Sequence, residues 1–269
     1  MKTFVRRATT LAASLALVAV SALVTTPAAS ADTVEPTLGT PKISGLARTV
    51  VPSASGTRTF TFNLSVVGSP DDGGYSDVNG DGVGVYYGGG WAEVVKVSSR
   101  VAKPIGAYVS RVGSVTTGKP VKYKLELAKF ASPGRYEIRV PVKQYYKLNG
   151  QYLERQVIGR FRFDVRANTN ISKANTYFSA PSWKPGATAT FTVRAPEYQR
   201  TAKVALFVKK KGKKSYTRVA LTTLGKASYG SVVKIKAKNL RVGDRIYFKV
   251  GSVSYAPGYS LSSVLIKRV

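Results

Sequence analysis

The chain has no cysteine and no histidine among its 269 residues, a single methionine, and only 13 acidic side chains against 42 basic ones. The missing thiol excludes disulfides, a lipid-modified N-terminal cysteine and a cysteine nucleophile, so stability has to come from sheets and cores. The missing imidazole removes the commonest general base and, together with the thiol, the usual zinc and copper ligands. Most enzyme classes fall with these two absences, and the chain reads as non-enzymatic. Paired carboxylates of the glycosidase kind find little support, because four of the 13 acids crowd into one glycine-rich loop and the rest are scattered over strand patterns. Ser231-Val232-Val233-Lys234 has a Ser-x-x-Lys spacing but lacks the companion motifs of penicillin-recognising enzymes, and is read as coincidence.

Long apolar runs are scarce too. The one at Ala8 to Val24 follows Lys2, Arg6 and Arg7 and precedes the small residues Ala29-Ser30-Ala31. Residues 1–31 therefore read as a cleaved secretory signal and residues 32–41 as a linker. No later stretch is apolar enough to span a bilayer. The expected product is secreted, extracellular or associated with a cell wall, with no transmembrane segment in the mature chain.

Positive charge is what the chain has in excess, and it is unevenly placed. The formal net charge is +29, and Asn168 to Val269 alone carries 20 Lys and Arg against two acids, Glu197 and Asp244. Such a surface repels itself, and a polyanionic partner would supply the missing negative charge.

Helical periodicity is absent after the signal, whereas alternating runs rich in Val, Tyr, Phe and Thr recur between clusters of Gly, Pro, Asn and Ser. The pattern predicts an all-β chain made of two tandem immunoglobulin-like sandwiches, residues 42–167 and 168–269. In the first, strands are expected at Lys42 to Val50, Thr57 to Val67, Val83 to Tyr87, Ala92 to Ser99, Lys119 to Leu127, Arg135 to Tyr146 and Leu153 to Val165. An Asn149-Gly150 turn makes the last two a hairpin. In the second, they are expected at Ser172 to Phe178, Ala187 to Arg194, Lys203 to Lys209, Tyr216 to Leu224, Ser231 to Ala237, Asp244 to Val250 and Ser260 to Lys267.

Turn chemistry adds a resemblance. Trp183-Lys184-Pro185-Gly186 before an alternating strand, Leu240-Arg241-Val242-Gly243-Asp244, and Tyr255-Ala256-Pro257-Gly258-Tyr259-Ser260 before a closing apolar strand resemble bacterial immunoglobulin-like repeat domains. The resemblance covers about 100 residues, and its motifs are shared by many sandwiches. In the first sandwich it is weaker, resting on Ser132-Pro133-Gly134-Arg135-Tyr136, where the Tyr136 hydroxyl is expected to bond back to the backbone. A secreted or surface adhesive or spacer role is what this resemblance implies; it transfers no ligand.

Two lysine patterns are candidate polyanion contacts. Lys209, Lys210, Lys211, Lys213 and Lys214 surround Gly212 at an expected hairpin tip. Lys234, Lys236 and Lys238 alternate with Ile235 and Ala237, which places the three ammonium groups on one face about 6–7 Å apart. Arg245, Lys249, Lys203 and Arg218, on neighbouring strands, are expected to widen the patch. Because 14 of the 20 cations are Lys, the contacts expected are point charges and the binding salt-sensitive. The expected partner is an anionic cell-wall polymer or acidic glycan, with extracellular nucleic acid as the alternative and a structural spacer with a solvating charge as the other. Tyr216, Tyr229 and Tyr247 are not expected to form the stacking platform of a single-strand binder.

The acidic loop is the remaining motif. Asp77-x-Asn79-x-Asp81-Gly82 repeats the first half of an EF-hand calcium loop, but Gly88 stands where the bidentate Glu belongs. A calcium-binding sandwich loop is the alternative, with Asp71 or Asp72 as the further carboxylate. A solvated turn is the simpler one. Tyr86, Tyr87 and Trp91 follow this loop as a candidate carbohydrate-stacking group. A metal-assisted hydrolase using the loop is the surviving enzyme alternative.

Overall fold

In the computed structural model, residues 39–66, 69–71, 83–86, 92–97, 106–113, 119–148, 151–180, 184 and 186–267 are described. The expected signal at 1–31 lies outside them, as do Asp72, Asp77, Asn79, Asp81, Tyr87 and Trp91.

The N-terminal strands are β1 (Lys42–Ser44), β2 (Thr49–Val50), β3 (Arg58–Ser65), β4 (Ser69–Asp71), β5 (Val83–Tyr86), β6 (Glu93–Lys96), β7 (Ala107–Arg111), β8 (Val121–Leu127), β9 (Gly134–Leu148) and β10 (Gln151–Val165). One sheet has the order β1-β3-β8-β7; the other runs β2-β10-β9-β5-β4, with β6 also on β9. The single strand expected at Lys42 to Val50 is broken. Gly45 takes φ +84°, a left-handed conformation that costs glycine nothing, and the two halves join opposite sheets. β7 falls between two expected strands and was not anticipated. The hairpin of β9 and β10 is in register from Gln151 opposite Leu148 to Val165 opposite Gly134, which leaves two residues for the turn.

Alternation drives the burial. Leu64, Leu125, Leu127, Ile138, Val142 and Val165 fill the space between the sheets, with Phe62 stacked on Tyr123 and Tyr136 on Phe163 at 5.5 and 5.8 Å between centroids. The buried Tyr136 donates its hydroxyl proton to the Ser132 carbonyl at 2.6 Å, the corner bond expected from the sequence.

The C-terminal elements are α1 (Thr169–Ala174), β11 (Tyr177–Ser179), β12 (Ala189–Ala195), a 3-10 turn (Glu197–Gln199), β13 (Lys203–Lys209), β14 (Thr217–Thr223), β15 (Gly225–Lys226), β16 (Ser231–Ala237), β17 (Arg245–Val250), β18 (Tyr259–Ser260) and β19 (Val264–Leu265). They build a β11-β12-β16-β15 sheet against a β14-β13-β17-β18 sheet, with β19 on β17. A four-stranded antiparallel layer with β12 and β16 central, facing a five-stranded one with β13 and β17 central, is the immunoglobulin-like arrangement, so the all-β sandwich class is the observed one. The core is Phe191, Val193, Leu206, Ile235, Phe248 and Val250, with Phe178 tilted onto Phe248 at 4.7 Å.

The helix α1 corrects the strand expected from Ser172. The Asn168 side-chain oxygen accepts from the backbone N–H of Asn170 and Ile171, satisfying two orphan donors of the first turn. Ser172 and Thr176 then donate back to the carbonyls of Asn168 and Ser172, so this stretch uses local bonds in place of a ladder. The same Asn168 donates through Nδ2 to Pro52, and the Ala167 N–H bonds the Tyr255 carbonyl at 2.7 Å.

A lysine surface on the second sandwich

The stripe is positioned by β16, which lies inside its sheet between β12 and β15. Ser231, Ile235 and Ala237 are buried, Val233 is half-buried against the core, and Lys234, Lys236 and Lys238 are exposed. Thr192 and Thr190 of β12 sit opposite Lys234 and Lys236, and the exposed Arg194 sits opposite Val232. This outer face is therefore lined by cations and small hydroxyls.

The tip joins β13 to β14. Gly212 turns the chain at φ +79°, and the Lys213 N–H closes the turn on the Lys210 carbonyl at 3.0 Å. Its lysines are not equivalent. Lys210 reaches back to the Asn239 carbonyl and to Asp244 Oδ2 at 2.9 Å. Asp244, 1% exposed, also accepts from the Lys211 and Arg241 backbone N–H groups at 3.0 Å. Burial pushes its carboxyl up, but the Lys210 ammonium and these two N–H donors outweigh that and hold it below the usual range. Lys209 lies over the Tyr216 ring at 5.6 Å. Lys211, Lys213 and Lys214 are exposed, and no side-chain acceptor meets them among the described residues.

Two consequences follow from this arrangement. With Asp244 buried and engaged, Glu197 is the only exposed carboxylate among the described residues of the second sandwich. The stripe and the tip also converge, since Lys238 is followed by Asn239, whose carbonyl holds Lys210.

Lys203, Arg218, Arg245 and Lys249 do not widen the stripe. They belong to β13, β14 and β17, in the opposite sheet, where outward side chains face the other side of the sandwich. Strand alternation was legible in the sequence, but which strands share a sheet was not. On that side Phe207 stacks on Tyr247 at 4.8 Å and Tyr216 meets Tyr247 edge-on at 4.9 Å. Tyr216 and Tyr247 thus come together, while Tyr229, 91% exposed, takes no part in these ring contacts. Because Phe207 and Tyr247 cover each other's faces, the group is less open to a stacking base than separate rings would be.

In the first sandwich, Asp71 pairs with Tyr86 where β4 runs parallel to β5, and Tyr86 pairs with Lys143 of β9. The other calcium and carbohydrate candidates lie outside the described residues. Sequence reading missed an arginine cluster here. Glu137, 2% exposed, accepts from Arg139 Nε at 2.8 Å, Arg160 Nη1 at 2.9 Å and Arg162 Nε at 2.9 Å. Burial alone would raise its carboxyl; the three guanidiniums outweigh burial and hold it at about 2. The signal was present, because counting back equally from Asn149-Gly150 puts Glu137 opposite Arg162.

No family model matches the chain, and no curated protein matches it in sequence. Solved structures similar to it include a marsupial T cell receptor chain at 12% identity, covering 85% of this chain and 70% of that one with a TM-score of 0.31. A second marsupial T cell receptor chain stands at 14% identity, 86% and 98% coverage and a TM-score of 0.29. The CupB2 chaperone of Pseudomonas aeruginosa stands at 11%, 82% and 98%, with a TM-score of 0.23. The fold class rests on the strand order and pairing above. Among the described residues no helix is long and apolar enough to cross a membrane.

Proposed function

We propose that this is an exported, non-enzymatic binding or adhesion protein whose second sandwich holds an anionic cell-envelope polymer or acidic glycan. The observation that supports it is the Lys234, Lys236, Lys238 row standing free on a sheet face while one of the sandwich's two acids, Asp244, is buried and engaged. Lys211, Lys213 and Lys214 extend the surface; Lys209 and Lys210, committed to Tyr216 and Asp244, contribute less than the sequence suggests. A flexible polyanion crossing this face would replace self-repulsion by attraction without needing a shaped pocket.

The test is retention on columns of a polyphosphodiester, an acidic glycan and DNA across a salt series. Lys234→Gln/Lys236→Gln/Lys238→Gln should elute from one of the first two columns at clearly lower salt than the wild type, with a smaller salt slope and an unchanged melting temperature. Equal elution of variant and wild type would leave the charge merely solvating and favour a spacer. Preferential retention on DNA would favour the nucleic-acid alternative.

A further inference from the structure

The arginine cluster of the first sandwich is built differently from the lysine surface and does not depend on it. A groove of about 520 Å³ is lined by Arg48, Arg135, Arg160, Arg162, Glu137 and Asp164. Both carboxylates are already engaged. Glu137 is ringed by Arg139, Arg160 and Arg162, and Asp164 takes Arg135 Nε at 2.9 Å. The guanidiniums are not used up. Each carries five N–H donors in a rigid fork, and Arg162 spends only Nε and Arg160 only Nη1 on Glu137. Their side chains are 69% and 53% exposed, so the remaining donors face solvent. Arg48, at the same groove, is exposed and has no acceptor among the described residues.

Four guanidiniums around two saturated carboxylates leave the lining with two surplus positive charges. A merely structural ion-pair network needs no such surplus. Glu137 also does something solvent cannot, because it locks Arg160 and Arg162, two residues apart on β10 and so about 6–7 Å apart, with their free edges turned outward. Fixing a guanidinium beforehand removes the ordering cost that a mobile surface lysine carries when it binds. We propose that this groove is a second, shape-selective anion site, which grips the carboxylate or phosphate oxyanions of a short stretch of acidic glycan through the free edges of Arg160 and Arg162, with Arg48 closing on the same group. The lysine surface would hold a polymer loosely by charge; the groove would select it by geometry.

Calorimetric titration of the mature chain carrying Lys234→Gln/Lys236→Gln/Lys238→Gln tests the groove apart from the stripe. The probes are trigalacturonate, a glycerol-phosphate oligomer of similar length and a neutral trigalactoside. Saturable one-to-one binding of either anionic probe and none of the neutral one is expected. Arg162→Lys, which keeps the charge but loses the fork, should weaken that binding about tenfold. Arg48→Gln should weaken it without moving the melting temperature, since Arg48 meets the fold through its backbone carbonyl, which accepts from the Asp164 N–H, and its side chain has no acceptor among the described residues. Which anionic probe binds identifies the oxyanion. Absence of saturable binding by both, or equal affinities in the parent, Arg162→Lys and Arg48→Gln proteins, would overturn the site whatever the fate of the lysine surface.

Discussion

Among the described residues of this very basic chain two carboxylates are buried, Glu137 and Asp244, and each is held by its donors. Glu137 sits at about 2 against a usual 4.5, so its contribution to stability is fully present above about pH 4.5 and is lost as the pH falls toward 2. Urea midpoints across that window should fall less steeply for Glu137→Gln than for the wild type, the remaining fall coming from groups such as Asp244, and the variant should already be weaker at pH 7. The loss there is about 2–3 kcal/mol, below the value for a fully buried pair because the guanidiniums are half in solvent. Asp244 plays the corresponding part in the second sandwich. Where Tyr136 closes a corner by donating to a carbonyl, Asp244 closes one by accepting from Lys211, Arg241 and Lys210. Asp244→Ala strands two backbone N–H groups and should cost about 2–4 kcal/mol by chemical denaturation, several times the loss from Lys210→Met, whose side chain is half exposed. Equal losses would mean that the salt bridge, and not the backbone donors, carries the corner.

At the scale of elements, period-two alternation was the reliable guide. It placed β13 (Lys203–Lys209) and β16 (Ser231–Ala237) with their observed bounds, and it put Ile235 and Ala237 inward with the three stripe lysines outward. The stripe variant should therefore keep its fold, whereas Ile235→Lys should not, because a one-residue change of facing buries a charge in the Phe191 and Phe248 core. Soluble yield and near-ultraviolet circular dichroism read the difference directly. Alternation failed where other chemistry took over. At Gly45 a positive φ let one apparent strand serve two sheets, and at Asn168 a side-chain cap made a short helix out of residues whose composition resembles a strand start. The Asn cap was visible in the sequence; the absence of an apolar helical stripe hid it.

For the whole molecule, each sandwich has its own core, and the core of the second is built from 189–266 with Phe178 packed against it. Residues 168–269 are expected to fold alone as a soluble domain with a cooperative urea transition, losing only such links as the Asn168 bond to Pro52 and the Tyr255 bond to Ala167. A non-cooperative transition, or proteolysis as fast as that of an unfolded chain, would show that the first sandwich is needed.

The sequence alone determined the class of structure, since alternation, turn residues and the lack of thiols leave sheets and cores as the means of stability. It also determined which lysines face out, because the facing of a side chain along a strand depends only on parity. Which strands share a sheet is decided by long-range pairing, and parity is silent about it. Only the tertiary structure therefore separated Lys203, Arg218, Arg245 and Lys249 from the stripe, brought Phe207, Tyr216 and Tyr247 together, and joined the end of the stripe to the tip through Asn239. The arginine groove lies between these cases. Its Glu137 and Arg162 pairing follows from counting along one hairpin, but Arg48 arrives from outside that hairpin, next to β2, which runs parallel to β10, a contact that no local pattern encodes.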